Sequence, residues 1–241
     1  MRFGGYFKSD YGKGRYLKYD GPIRVKAEAG CYQAFERFEH NRGRTFLLIE
    51  SVKFPEHFEQ QVPILRIAEI NPVVNFYNVM VPFYVSILEE YLRSTYVALL
   101  KYSNCKTRII KNASGKLTVD DIADISNGVA TLEEMISRHL SFQNIKAICT
   151  NFNELDVNIE RVFSENVRRN TKLAILLSKV IEQRHRVIHR GEMNLAYKAD
   201  DARRDLKYIS YAVEKIYLFI LRRNKWFVEK SLFDHKGVFK K

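Results

Sequence analysis

Three arginines and two histidines crowd one stretch of the chain, Ile181-Glu182-Gln183-Arg184-His185-Arg186-Val187-Ile188-His189-Arg190-Gly191-Glu192. An imidazole titrates near neutral pH and can take a proton from an RNA 2′-hydroxyl, while a guanidinium holds a phosphate and neutralises the charge that builds on it. That chemistry needs no metal. Two other readings compete. His185 and His189 at HxxxH spacing could hold zinc, but Arg186 stands at an inner position where a zinc hydrolase has its glutamate, and neighbouring cations oppose a divalent ion. Alternatively, Arg and His at a helix C-terminus simply complement its dipole and pair with Glu182 or Glu192. On an ideal helix His185 and His189 are about 40° apart in azimuth and share a face, whereas Arg184 and His189 differ by about 140°. Arg184 therefore meets His189 only by its long reach, a bend at the helix end, or a second copy of the helix.

The elements that must position these residues read as helices from Pro82 onward. Phe83, Ile87, Tyr91 and Val97 to Leu100 recur near helical spacing and predict a long helix over about 80–102. Thr118 before Asp121, and Thr131 before Glu134, have the spacing of capping boxes and predict two short helices. Phe142, Ile145, Ile148 and Phe152 share one face of a further short segment opened by Ser141. Ser164 is expected to cap the helix that carries the Arg/His cluster, with Gly191 as its left-handed end. A last helix starts near Asp200 or Asp201 and is expected to run past Trp226. The expected fold class is mostly α, a bundle of four to six helices over residues 71–241. Before Asn71-Pro72, residues 1–70 are aromatic, basic and rich in breakers, including Gly30 and Gly43. They read as an irregular or mixed α/β extension whose clear strand candidate is Thr45–Val52.

Composition frames the partner. Forty Lys and Arg stand against 28 Asp and Glu, a net charge of +12, which favours a polyanion: nucleic acid first, acidic membrane surface second. A hydrophobic share of 46% with 11 Gly and 5 Pro excludes collagen-like and wholly disordered chains. Cys31, Cys105 and Cys149 are too scattered for a disulfide framework or a thiolate zinc site. No apolar leader follows Met1, and the apolar run Val79 to Leu88 is about half of the roughly 20 residues a membrane span needs. A cytoplasmic location without a membrane partner is expected.

The cluster and its surroundings carry a family resemblance. Arg184-His185-x-x-x-His189 resembles the Arg-x4–6-His motif of HEPN domains, in the form where a polar residue follows the Arg and a Val-Ile-His-Arg-Gly ending follows. The run Phe83 to Leu92 resembles the helix that opens such domains, and Ser141 to Lys146 resembles a middle segment of the RiboL-PSP-HEPN and MAE-like groups. The likeness covers about residues 75–225. It implies a helical bundle and a metal-independent endoribonuclease with no cofactor. Two copies would face each other across a composite site, in a toxin–antitoxin, abortive-infection or other antiviral setting. By the same resemblance Arg184 would hold the scissile phosphate, His189 would act as general base or acid, and His185 would assist or orient. Glu90, in preference to Glu89, would match the acidic position of the first helix. Expected partners are RNA, whether tRNA or mRNA, a second copy, and an antitoxin or sensor protein. A non-catalytic HEPN module that binds RNA or protein would share the same fold.

Other cations are assigned to RNA contact with plainer roles beside them. Arg186 and Arg190 could hold backbone phosphates or form surface ion pairs. Arg222, Arg223 and Lys225, beside Trp226, have the aromatic-plus-cation texture of single-stranded nucleic-acid surfaces, though helix-end packing would use them equally well. Tyr6, Tyr11, Tyr16 and Tyr19 interleave with Lys8, Lys13, Arg15 and Lys18 in the same manner.

Overall fold

Asn71 and Pro72 open the helix on which the rest of the chain is assembled. The Asn71 side chain accepts the Val73 N–H at 2.9 Å, and Pro72 occupies a first-turn position where no N–H is needed. The structure is a computed structural model and describes residues 6–8, 16–18, 26–55, 71–168 and 170–226. Among these residues there are nine α-helices: α1 (Lys26–Ser51), α2 (Pro72–Lys101), α3 (Lys106–Ala113), α4 (Val119–Ser126), α5 (Leu132–Arg138), α6 (Ile145–Glu154), α7 (Glu160–Phe163), α8 (Leu173–Arg190) and α9 (Ala199–Arg223). Two antiparallel strand pairs complete the set, β1 (Tyr6–Lys8) with β2 (Tyr16–Lys18), and β3 (Asn166–Arg168) with β4 (Thr171–Lys172). The fold is the mostly helical bundle expected. No described helix is long and apolar enough to cross a membrane.

The core is aromatic and centred on α2, where Tyr84, Tyr91 and Tyr96 are fully buried. Phe142, in the loop before α6, and Phe152, within α6, meet Tyr96 edge-on, both at 5.9 Å between ring centroids. Helix α1 lies antiparallel to α2, with Phe38 against Tyr91 and Arg37 against Glu90. It closes on α2 most tightly at Gly30, where a Cβ would lie 2.7 Å from that of Ala98. Helix α9 covers the other side with Leu206, Ile209, Val213, Ile216 and Ile220 buried, as its periodicity predicts.

Four boundaries differ from the sequence reading. Thr45–Val52 is not a strand: all but Val52 lies in α1, which shares the core of the helices that follow residue 71. Thr45 and Ile49 are buried at i,i+4 spacing, while Phe46, Leu47 and Leu48 face outward. The α2 surface thus selects a 3.6-residue period over the β-propensity of the run. Helix α2 begins ten residues before Pro82, which sits inside it and withholds the usual bond to the Asn78 carbonyl. Ser164 does not cap α8; it closes α7, its hydroxyl donating to Glu160 O at 2.9 Å, and the β3–β4 turn with Asn170 at φ 63° intervenes. Helix α9 stops at Arg223 in a Schellman turn, Lys225 being left-handed at φ 55° and Trp226 N donating to Leu221 O at 2.9 Å.

The two capping boxes form as their spacing predicts, Thr118 with Asp121 and Thr131 with Glu134. Asp121 accepts the Thr118 N–H at 2.8 Å and meets His139 Nε2 at 2.9 Å. The Thr118 N–H, then His139, hold its carboxyl below the usual carboxylate range. A carboxyl with a depressed folded pKa stabilises above its unfolded pKa of about 3.9, and that contribution is lost as pH falls through the folded value. Acidification below about pH 4 should therefore loosen the start of α4. Amide exchange at Ile122 checks this: protection should fall with pH in wild type and be low and flat in Asp121→Asn.

Candidate active site at the end of helix α8

Helix α8 presents Leu173, Leu177, Val180 and Ile181 to the core and continues that buried face into Arg184. The guanidinium consequently points at α2. Its Nη1 stands 3.4 Å from Glu89 Oε1, and the two side chains retain only 11% and 15% of their exposure. The contact is an ion pair without hydrogen-bond geometry: Arg184 Nε and Nη1 and Glu89 Oε1 are all buried and make no hydrogen bond. Burial pushes the Glu89 carboxyl above its usual range, and the charges of Arg184 and then Arg93 only partly offset the rise. The pair is a held cation whose Nε and Nη1 have no hydrogen-bond acceptor.

The two histidines lie on the flank of the same helix and are exposed. Their ring centroids are 4.5 Å apart with planes inclined at 61°, so the shared face expected from their spacing is realised as ring contact. Gly191 ends α8 in the left-handed conformation at φ 65°, its N–H donating to Arg186 O. Beyond it, Asn78 of α2 fixes the returning chain. This amide is fully buried and donates to Val74 O at 2.8 Å and to Asn194 O at 3.0 Å, while its Oδ1 accepts Asn194 N at 2.8 Å and Gln183 Nε2 at 3.4 Å. The loop and the helix end are thereby referenced to α2, the helix that carries Glu89.

Not every expected residue belongs to this constellation. Glu90 does not: one residue along α2 turns it about 100° away, and it accepts from Arg37 Nη1 at 3.1 Å and Ser94 Oγ at 2.8 Å. The acidic partner of Arg184 is Glu89. Spacing held the signal, since Glu89 follows core residue Val85 by four and precedes core residue Leu92 by three, whereas Glu90 is four from Ser86 and Ser94. Arg186 is tied to Glu182 at 2.7 Å and Arg190 approaches Glu192 at 3.8 Å, both exposed. Arg222, Arg223 and Lys225 are not brought near: α9 runs its 25 residues, roughly 36 Å at 1.5 Å per residue, away from the loop after α8. There Arg223 Nη2 donates to Asp156 O at 2.5 Å, which is helix-end packing. The N-terminal tyrosine and lysine run falls largely outside the described residues. Among the described residues no group of three or more His, Cys, Asp or Glu is gathered where it could hold a metal ion.

Within one chain Arg184 faces α2 while His189 faces solvent, so the guanidinium and the imidazole pair lie on different sides of one helix end. No family model, curated protein or solved structure matches this chain.

Proposed function

We propose that the chain is a metal-independent endoribonuclease of the HEPN kind, with its site completed by a second copy. The observation that carries this reading is the largely buried Arg184, held by Glu89 with its Nε and Nη1 unbonded, next in sequence to His185, whose ring contacts His189. Arg184 holds a non-bridging oxygen of the scissile phosphate. His189 takes the proton of the neighbouring 2′-hydroxyl, and O2′ attacks phosphorus as the bond to the 5′-oxygen breaks. A second imidazole, His185 or one from the other copy, returns a proton to the departing 5′-oxygen. The products are a 2′,3′-cyclic phosphate and a 5′-hydroxyl. The charge of +12 favours association with RNA, and by the resemblance such an activity would belong to a toxin or an antiviral effector, restrained by an antitoxin or sensor protein.

The second reading, a non-catalytic RNA- or protein-binding module, draws on one observation: Arg184 and His189 do not share a face within one chain. It requires binding without turnover. Incubation of wild type and His189→Ala with total RNA, with and without EDTA, decides between the two. Wild type should cut in EDTA and leave cyclic phosphate ends, His189→Ala should not cut, and a mixture of Arg184→Ala with His189→Ala should regain activity through hybrid sites. Equal cutting by His189→Ala, or cleavage abolished by EDTA, overturns the proposal.

A further inference from the structure

A cleft of about 430 Å³ is lined by α1, α2 and α5. Its floor is small and apolar because α1 and α2 touch there, at Gly30 and Ala98. Its rim carries three guanidinium groups, from Arg37, Arg93 and Arg138. Arg93 stands one turn along α2 from Glu89, whose carboxyl feels its charge, so the rim continues the polar strip that begins at Arg184. It is anchored, with Nη1 donating to Ser137 O at 3.1 Å and the guanidinium 5.6 Å from the centroid of Phe142. Arg37 and Arg138 are held more loosely. Their side chains are more than half exposed, and their partners are Glu90, exposed, at 3.1 Å and Asp124 at 3.9 Å, pairs of the sort worth about 0–1 kcal/mol. Two carboxylates line the cleft, Glu134, which accepts Thr131 N at 2.7 Å, and Glu90, which is paired with Arg37.

We infer that this cleft receives a nucleotide of single-stranded RNA flanking the scissile phosphate, its phosphate between Arg37 and Arg138 and its base or ribose on the apolar floor. The volume lies in the range of small-ligand sites, about 300–1,000 Å³. Arginines along a groove follow the backbone of a single strand, and unstacked bases lie on guanidinium planes as well as on aromatic rings. The inference rests on the ribonuclease reading for the identity of the neighbouring site, but its test is a binding measurement that needs no cleavage.

Affinity for a single-stranded oligoribonucleotide should be measured across a salt series, with His189→Ala as the parent so that RNA stays intact. Arg37→Gln with Arg138→Gln should weaken binding at every salt concentration. It should also flatten the dependence of log K on log salt by about 0.7, for the one phosphate left without its arginines. The matched control, Arg203→Gln with Lys207→Gln at the start of α9, should leave the slope unchanged. Circular dichroism of each variant confirms the fold. An unchanged slope in the cleft variant, or an equal change in the control, overturns the inference. So does loss of self-association with RNA binding intact, which would make the cleft a protein interface. Wild type that binds with the expected slope but cuts nothing would remove the catalytic reading and leave the cleft standing.

Discussion

Glu89→Met should destabilise the protein by about 3 kcal/mol, Arg184→Met by less, and the double variant should return to within about 1 kcal/mol of wild type. The asymmetry comes from what each partner can do when left alone. A stranded Arg184 cannot shed its proton and must remain a buried cation without a partner. A stranded Glu89 can take a proton, and burial already pushes its carboxyl upward. Denaturant unfolding of the four proteins in the cycle measures the coupling. Activity should not follow stability: Arg184→Met should cut RNA about 10²- to 10³-fold more slowly, and the double variant should stay slow although its fold is restored. Equal recovery of both would make Arg184 a structural residue.

The same carboxyl gives the cycle a pH signature. Its folded pKa lies above its unfolded one, so the folded chain binds more protons in the interval between them. Stability from this group is therefore greatest below about pH 4.3 and declines as pH rises through the folded value. Glu89→Met lacks that declining limb. The gap between wild type and Arg184→Met should narrow toward acid pH, where Glu89 is protonated and no longer stranded as a charge.

Gly30→Leu should cost on the order of 3 kcal/mol, and even Gly30→Ala about 1–3 kcal/mol. An alanine would normally gain about 1 kcal/mol over glycine inside a helix. Here its Cβ would lie 2.7 Å from that of Ala98, so α1 must move off α2. Ala98→Gly should rescue Gly30→Ala and do nothing for Gly30→Leu. Thermal unfolding reads the result, at about 2–4 °C per kcal/mol for a chain of this size. Failure of the rescue would mean that the close approach does not limit packing.

These residues show what the sequence carried and where it misled. Capping chemistry is local, and Thr118, Thr131 and Gly191 are found in the roles their neighbours imply. Burial of the helices after residue 71 follows from apolar spacing for the same reason. Helix α1 was hidden because the signal for it is non-local. Gly30 reads as a breaker until Ala98 is placed against it, and Thr45 to Val52 reads as a strand until α2 supplies a surface for Thr45 and Ile49. The spacing of Glu89 to Val85 and Leu92 marked it as the inward acid, but its partner Arg184 on α8 is set by packing between distant segments. The Arg/His cluster itself was legible as chemistry, but the inward aim of Arg184 and the outward aim of His189 follow from which face of α8 is buried.

The clasp made by Asn78 constrains how this protein can drift. A buried amide that donates twice and accepts twice has no substitute among the other side chains: aspartate loses both donors, leucine loses everything, and glutamine carries the group out of register by a methylene. Such changes at position 78 remove bonds that tie the carbonyl and N–H of Asn194 to α2. Because both bonds reach backbone atoms of residue 194, the constraint falls on the identity of residue 78 and on the path of a turn 116 residues away, while the side chains of that turn stay free to vary.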